Sequence, residues 1–275
     1  MKSYLWLPRL SVHNANAMPC AWLVAAPSPT AYLGFAHQTG RVLGTYISGV
    51  AIVHHHLEYR GEELGSKLMP HQFRGASAIY KNDYPGGGHA LSLQPSVRCN
   101  VVVSLALEIA DTPSIDGSIL NSWLARARIA GGTLGPDIES PELGMNWEKL
   151  IEQPKTGFHV VERSDLMNPE GNERDRLDAF LRATASDQST ERSWVSPALL
   201  GYRAMTAIKP RQYSRDGYSH AFAEPLLGLT QFKSVHDKSE ELTFWRYYRP
   251  SPNVFLVTTR KPGSTTLQGA HYGQV

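Results

Sequence analysis

The order of strand-like and helix-like segments in the first half of the sequence most constrains the fold of this chain. β-branched runs indicate strands, whereas apolar residues at helical spacing indicate helices. In chain order the sequence predicts a strand at 4–12, a helix from Ser28 onwards, strands at 47–57 and 96–109, a helix at 115–127 and a short strand at 129–134. This β-α-β-β-α-β order predicts an α+β fold with a ferredoxin-like, or RRM-like, sheet. One face of such a sheet is covered by helices, and the free face is a common RNA platform.

The first helix has a specific start signal, and the second half of the chain is less regular. Ser28 suits an N-cap and Pro29 the first helical position, and Gly40 is expected to end the helix. The second half predicts strands at 157–163, 194–206 and 254–259, with helices at 170–184 and 220–229. We therefore expect an RRM-like unit over residues 1–134 and a C-terminal portion, 135–275, that completes the fold and contacts partners.

The distribution of charge permits a polyanionic partner. The net charge of the chain is only +2. Residues 1–134 hold 10 Lys and Arg against 7 Asp and Glu, residues 135–192 hold 7 against 13, and residues 193–275 hold 10 against 5. An acidic middle therefore separates two basic portions, which could line one positive face if the ends fold together.

No enzyme motif singles out a catalytic residue. The sequence has no nucleophile elbow, zinc-protease motif, phosphate-binding P-loop or dinucleotide fingerprint. His54, His55 and His56 are adjacent on a predicted strand, so only the first and third would share a face, and no ligand-spaced partner follows. We predict no metal site, no cofactor and no catalytic residue. A metal-independent ribonuclease stays open, because it needs only a His or Tyr base and some cations.

Cysteine content and hydropathy indicate the cytoplasm. Cys20 and Cys99 are too few for a disulfide framework or a zinc knuckle. The longest apolar run, 101–110, is interrupted by two polar residues and suits a buried strand better than a membrane span. We predict a cytoplasmic protein without a membrane partner.

Basic residues interleaved with aromatic ones favour a single-stranded RNA partner. Seven such residues, including Tyr202, Arg203 and Arg211, lie within 202–218, and the segment 244–249 has the same character. Cations hold phosphates, and flat side chains stack on bases. Core aromatics with a solvated cationic rim remain the alternative interpretation of both segments.

Several blocks of the sequence resemble one family. They are LPRLSVHNANA at 7–17, PSP at 27–29 followed by Tyr32, Phe35 and His37, GVAIV at 49–53, RIAGGT at 128–133, GFHVV at 157–161, GY at 201–202 and FAEPLLGL at 222–229. In content and order they resemble the second Csy protein of type I-F CRISPR systems, a Cas-five-type member of the RAMP superfamily.

This resemblance implies a RAMP palm with a thumb insertion at about 58–92, and no catalysis. It implies a subunit of a Cascade-like complex that caps the 5′ handle of the CRISPR RNA (crRNA), beside a large subunit and the first subunit of the backbone filament. Two alternatives remain. One is a minimal variant without the large subunit, in which this protein also contacts target double-stranded DNA. The other is a RAMP endoribonuclease that processes the precursor crRNA.

The resemblance also implies which residues contact RNA. Asparagine reads base edges, arginine holds phosphates, and glycine lets a nucleic-acid backbone approach. On the matching positions these are Arg9, Asn14, Asn16, Ser28, His37, Arg128, Gly131 and Gly132. Together with Tyr202, Arg203 and Arg211 from the basic and aromatic segment, they make up the predicted RNA-binding set.

Overall fold

The computed structural model describes residues 2–65, 67–77, 92–110, 116–169, 175–185, 193–210, 212, 217–237 and 242–260. The strands are β1 (Ser3–Asn16), β2 (Ile47–Tyr59), β3 (Gly61–Leu64), β4 (Lys67–Pro70), β5 (Gln72–Ser77), β6 (Ser92–Ile109), β7 (Arg128–Ile129), β8 (Gly132–Leu134), β9 (Glu142–Met145), β10 (Phe158–Glu162), β11 (Val195–Ala204), β12 (Lys209–Pro210), β13 (Ser219–His220), β14 (Ala223–Ser234), β15 (Arg246–Ser251) and β16 (Val254–Thr258). The helices are α1 (Pro29–Leu43), α2 (Gly117–Leu124), α3 (Trp147–Ile151) and α4 (Arg176–Thr184), with a 3-10 turn at Ser164–Met167.

The first half of the chain forms a helix-backed antiparallel sheet. Its strands lie side by side in the order β8-β1-β6-β2, and every neighbouring pair is antiparallel. Helix α1 packs against β2 and against α2, and Trp123 of α2 donates its indole N–H to Thr39 Oγ1 at 3.0 Å. The chain is therefore α+β, and this part is compatible with an RRM-like palm.

The second half of the chain extends the same sheet and curls it. From β2 the order continues β10-β14-β11-β16-β15. Trp245, immediately before β15, pairs with Val50 of β2 through backbone hydrogen bonds of 2.8 and 3.0 Å. The C-terminal strands thus return to β2. The division at residue 134 stays a prediction.

Two hydrophobic clusters lie on opposite faces of the palm sheet. The main core lies between the sheet and α1 and α2, and takes the alternate residues of β6 from Val97 to Ile109. The smaller cluster joins Tyr4, Trp6 and Ala106 to Met145, Leu150, Leu242 and Phe244. The smaller cluster covers only one end of the second face. It includes Ala106, and Ser104 beside it is also buried, but it includes none of residues 98–102 of β6. Among the described residues, no helix combines the length and apolar character needed to cross a bilayer.

A buried carboxylate ties the C-terminal strands to the palm. Glu108 accepts a hydrogen bond from Ser48 at 2.8 Å and ion pairs from Lys2 and Arg246, each at 2.5 Å. Burial alone would raise the pKa of the Glu108 carboxyl, but hydrogen bonds from these three residues outweigh that effect and lower the pKa. Arg246 is therefore committed to a structural role.

The end of the first helix differs from the prediction. Helix α1 continues past Gly40 to Leu43, and Gly44 caps it with a left-handed backbone at φ 65°. A Cβ on Gly40 would lie 2.7 Å from the carbonyl oxygen of Thr45, so Gly40 is required by the returning chain. The predicted cap at Ser28 and first position at Pro29 are confirmed.

The predicted helix at 220–229 is wrong, because this segment belongs to strand β14. Its Ala, Glu and Leu residues suit a helix, but pairing with β11 over Ala223–Leu229 overrides that propensity, and the rest of β14 pairs with β10. A Cβ on Gly228 would lie 2.3 Å from Cδ1 of Leu200, so the glycine leaves room for the Leu200 side chain on the neighbouring strand. Pro225 and Gly228 were the signals against a helix.

Other predicted elements are confirmed in kind, with shifted ends. The short strand at 129–134 is the hairpin β7–β8, and the helices predicted at 115–127 and 170–184 are present as α2 and α4 in the described residues. Part of the predicted thumb forms the β3–β4 hairpin and strand β5, which pairs with β6. Residues 78–91 of the thumb lie outside the described residues.

His54 is expected to make folding stability fall as pH falls. Its Nε2 lies 3.0 Å from the Tyr32 hydroxyl in the core, and burial, aided by His55, lowers the pKa of His54 from 6.5 to about 3. Because the unfolded chain binds the proton first, stability is complete above about pH 6.5 and is lost progressively towards pH 3. By pH 5 the loss from this residue is about 2 kcal/mol.

Urea unfolding of the wild type and of His54→Gln at pH 7.5 and pH 5 measures this effect. Glutamine keeps a partner for the Tyr32 hydroxyl but does not titrate. Between pH 7.5 and pH 5, the free energy of unfolding of the wild type should fall by about 2 kcal/mol more than that of the variant. Equal losses in the two proteins would show that His54 is not a buried neutral imidazole.

Candidate nucleic-acid interface

Two strand irregularities flank Ser104, a buried residue at the boundary of the uncovered end of the palm sheet. On β1, Leu7 pairs with Leu105 and Leu10 with Val103, so two residues lie opposite Ser104. On β2 the register shifts between His54 and His56. Bulges of this kind re-aim side chains and are frequent beside functional sites.

Ser104 holds the bulge residues Arg9 and His55. Its Oγ accepts the backbone N–H of Arg9 at 2.9 Å and lies 2.7 Å from Nε2 of His55. Arg9 has a left-handed backbone, with φ 38°, which is uncommon for a residue other than glycine. Its side chain is 50% exposed and only 3.8 Å from an exposed carboxylate, Glu139. The bulge therefore presents the Arg9 guanidinium to solvent.

The histidine run does not alternate as predicted, because of the bulge in β2. His54 packs in the main core with Tyr32, whereas His55 contacts Ser104 on the other face. His56 pairs with Val102 on that same other face, since its neighbour Leu57 packs against the core. Burial and the charge of Arg9 lower the pKa of His55 to about 4, so it is neutral at pH 7. Within the described ranges, no group of three His, Cys, Asp or Glu side chains could hold a metal ion.

A second irregularity of β1 places Asn14 within a polar network. Asn14 has φ 57°, and its N–H donates to Asn100 Oδ1 at 3.2 Å. Arg60 donates to the Asn14 side-chain oxygen, and Arg98 donates to the Asn14 carbonyl at 3.4 Å. Asn100 also donates to Glu58 at 3.3 Å. Arg60 and Arg98 are thus positioned around one turn of β1.

The β7–β8 hairpin adds a fourth arginine to this end of the sheet. Arg128 donates to the Gly131 carbonyl at 3.3 Å, and Gly131 has φ 75°. A Cβ on Gly131 would lie 3.8 Å from Nη1 of Arg98, so the hairpin turn and the Asn14 network adjoin. A Cβ on Gly132 would lie 2.6 Å from the His13 carbonyl oxygen. Gly132 is therefore needed for strand pairing with β1.

These groups form one surface on the uncovered face, which we call the palm face. The alternate residues Val97, Cys99, Val101 and Val103 are in the main core, so 98, 100, 102 and 104 point the other way. The palm face consists of Arg9, Asn14, His55, Arg60, Arg98, Asn100, Arg128 and Gly131, and the buried Ser104 lies beneath it. Its four arginines face two acids identified above, Glu58 and Glu139. It combines phosphate-binding cations with side-chain amides that can hydrogen-bond bases.

The comparison with known families agrees with the resemblance. The model of the CRISPR-associated protein family Cas_Csy2 matches residues 5–257. The chain belongs to the Csy2 family. The CRISPR-associated protein Csy2 of Pseudomonas aeruginosa strain UCBPP-PA14 is 24% identical over 319 residues, which cover 94% of this chain and 95% of that relative. The resemblance to the second Csy protein of type I-F systems is confirmed.

Only part of the RNA-binding set predicted for this Csy2 family member lies on the palm face. Arg9, Asn14, Arg128 and Gly131 do, and Gly132 lies beneath them as a packing residue. Asn16 exchanges hydrogen bonds of 3.1 and 3.2 Å with the backbone of Met18, which fixes a turn.

The remaining predicted residues lie elsewhere. Ser28 is buried, accepts the Thr30 N–H at 3.2 Å and donates to the Leu199 carbonyl, so it links α1 to β11. His37 lies on α1, and Tyr202 and Arg203 on β11, away from the palm face. Arg211 lies outside the described residues.

Sequence reasoning missed Arg60, Arg98, Asn100 and Ser104. The signal for three of them is present in β6, where polar residues at 98, 100 and 104 alternate with Val97, Cys99, Val101 and Val103. Alternation of polar and apolar residues along a strand predicts that the polar side chains form a row on one face of the sheet. Arg60 has no comparable local signal, because its place depends on pairing between β2 and β6.

Proposed function

We propose that this Csy2 family member is a non-catalytic, RNA-binding backbone subunit of a type I-F CRISPR complex, and that it binds and caps the 5′ handle of the crRNA. The observation that carries the proposal is the concentration of four arginines and two asparagines on the palm face. Single-stranded RNA is bound by such a combination, because cations neutralise phosphates and amides read exposed base edges.

The fold supports the same proposal. In a RAMP palm the helices cover one sheet face and leave the other for RNA, and the β8-β1-β6-β2 order with α1 and α2 behind it fits that arrangement. The family's partners follow as part of the proposal: the crRNA, the backbone filament subunit and a large subunit where one is present. Contact with target DNA in a minimal variant remains the alternative proposal for a system without that large subunit.

RNA binding should weaken steeply with salt and leave the RNA intact. Each phosphate neutralised on a single strand contributes about −0.7 to the slope of log affinity against log salt. Contacts from three or four palm-face arginines therefore predict a slope of about −2 to −3. Fluorescence anisotropy with a labelled RNA of the repeat-derived handle, at several salt concentrations, measures the slope.

The same samples, run on a denaturing gel after incubation without metal, distinguish the enzyme alternative. The proposal predicts uncut RNA at all times. Cleavage at one repeat position would instead favour a RAMP endoribonuclease. A slope near zero would contradict binding through the palm-face arginines.

A further inference from the structure

A groove lined by aromatic rings lies on the helix side of the sheet, away from the palm face. It has a volume of about 420 Å³ and is lined by His37, Tyr247, Tyr248, Arg249 and Phe255. We call it the aromatic groove. Its volume is within the range of about 300–1,000 Å³ found for small-ligand sites. Phe255 and Tyr247 share a face with Val257, which is in the core that α1 covers, so the groove opens beside α1.

Three of the rings form a row across adjacent strands and a fourth joins it from the helix. Tyr202 of β11 lies directly opposite Phe255 of β16. The ring centroids of Phe255 and Tyr247 are 5.1 Å apart with planes inclined at 43°, and those of Tyr247 and His37 are 6.0 Å apart. Rings on neighbouring strands are held rigidly, so they form a preformed platform rather than an adaptable surface.

The rings of the row are partly open to solvent. Tyr202, Tyr247 and Phe255 are 41%, 41% and 39% exposed. Each ring is thus anchored in the sheet while a large part of it remains accessible. Exposed apolar rings in a contiguous row mark an interaction surface more than scattered ones do.

The described elements that line the groove are basic, and the acids nearest to their strands, Glu162 and Glu224, lie on β10 and β14. Elements α1, β15 and β16 contain no Asp or Glu. Arg249 lines the groove and donates to the Pro252 carbonyl at 2.8 Å, which fixes its position and leaves further N–H donors of the guanidinium. Arg41 lies one helical turn after His37 on the same side of α1, and its charge opposes the burial that raises the pKa of Tyr247. The partner chemistry that fits is anionic and aromatic.

We propose that the aromatic groove is a second binding site for unpaired single-stranded nucleic acid, in which bases stack on Tyr202, Phe255 and Tyr247 while Arg41 and Arg249 hold phosphates. Base–aromatic stacking with flanking cations is the general mode of single-strand binding. The site is separate from the palm face and does not rest on handle capping. A stretch of RNA or DNA outside the handle has the required chemistry, and RNA and DNA probes distinguish the two sources.

The test uses the full chain carrying Arg9→Glu and Arg98→Glu, so that the palm face is disabled. Labelled eight-nucleotide uridine RNA and thymidine DNA are titrated by anisotropy. Adding Tyr247→Leu and Phe255→Leu should weaken binding about tenfold or more, because two stacking platforms are lost. Arg41→Glu keeps every ring and should also weaken binding, which separates the effect from misfolding. Phe158→Leu is the matched control, since Phe158 is also 39% exposed but lies on β10 outside the groove.

Weakening with the RNA probe alone assigns the groove to RNA, and weakening with both probes assigns it to any single strand. The proposal is overturned if the groove variants bind both probes as tightly as Phe158→Leu does. It is also overturned if the chain with a disabled palm face binds neither probe while remaining folded. Failure of handle capping would appear separately, as unchanged handle affinity when Arg9 and Arg98 are reversed.

Discussion

Replacing Trp245 with alanine is expected to lower the free energy of unfolding by about 3–5 kcal/mol. The indole is fully buried in the main core and donates its N–H to the Val160 carbonyl of β10 at 2.8 Å. Truncation loses the transfer free energy of a large ring, leaves a cavity and orphans a buried acceptor. Trp245 also pairs with Val50, so the substitution weakens the fold at the point where the C-terminal strands return to the palm.

Urea unfolding measured by circular dichroism tests this prediction. Trp245→Phe keeps most of the ring but loses the hydrogen bond, so its free energy of unfolding should lie between those of the wild type and Trp245→Ala. Trp22→Ala is the matched control, since Trp22 is 69% exposed and its loss should change stability by less than about 0.5 kcal/mol. If Trp245→Ala were as stable as Trp22→Ala, the closure of the sheet at Val50 would not contribute to the fold.

Reversing two palm-face charges, Arg9→Glu with Arg98→Glu, is expected to weaken binding of handle RNA by about a hundredfold at low salt. Each reversal removes a phosphate contact and adds repulsion, and each contact of this kind is worth on the order of 1 kcal/mol or more. The two residues lie on different strands and hold opposite ends of the palm face. The salt slope should also become shallower, by about 1 to 1.5.

Anisotropy with handle RNA measures the loss, and the unfolding curve of the same variant checks that it still folds. Arg176→Glu provides the matched control, because Arg176 is an exposed arginine at the start of α4, off the palm face. It makes the same change in net charge per site and should leave affinity within about twofold. Equal weakening by Arg176→Glu would mean that overall charge, rather than the palm face, governs binding.

The first half of the fold could be predicted from the sequence, because its helices and strands follow from local residue patterns. The β-α-β-β-α-β order was readable because β2 and β6 are long apolar runs and α1 carries its own cap at Ser28. Strand β14 was misjudged because its partners β10 and β11 are distant in sequence, and no local pattern gives a strand its neighbours. The segment 244–249 was predicted to bind RNA. Trp245 and Arg246 hold the C-terminal strands in place, whereas Tyr247 and Arg249 of β15 line the aromatic groove proposed above as a single-strand site.

The candidate site was predictable only in part, for a related reason. Arg9, Asn14 and Arg128 came from family motifs, but Arg60 and Arg98 join them only because β1, β2 and β6 are neighbours in the sheet. Bulges are also invisible to simple alternation, so the placement of His55 beside Ser104 could not follow from counting along β2. Ser28 shows the reverse case, since a helix N-terminus suited to an anion is instead sealed against β11.

The most direct test of handle capping is recovery of RNA with the tagged protein from cells carrying its own CRISPR array and cas operon. We predict that the wild type and Arg176→Glu recover uniform small RNAs with an intact repeat-derived 5′ end. The chain with Arg9→Glu and Arg98→Glu should lose them. Recovery of the same RNAs by that double variant would contradict the account, as would a wild-type protein that brings down its companion subunits without any RNA.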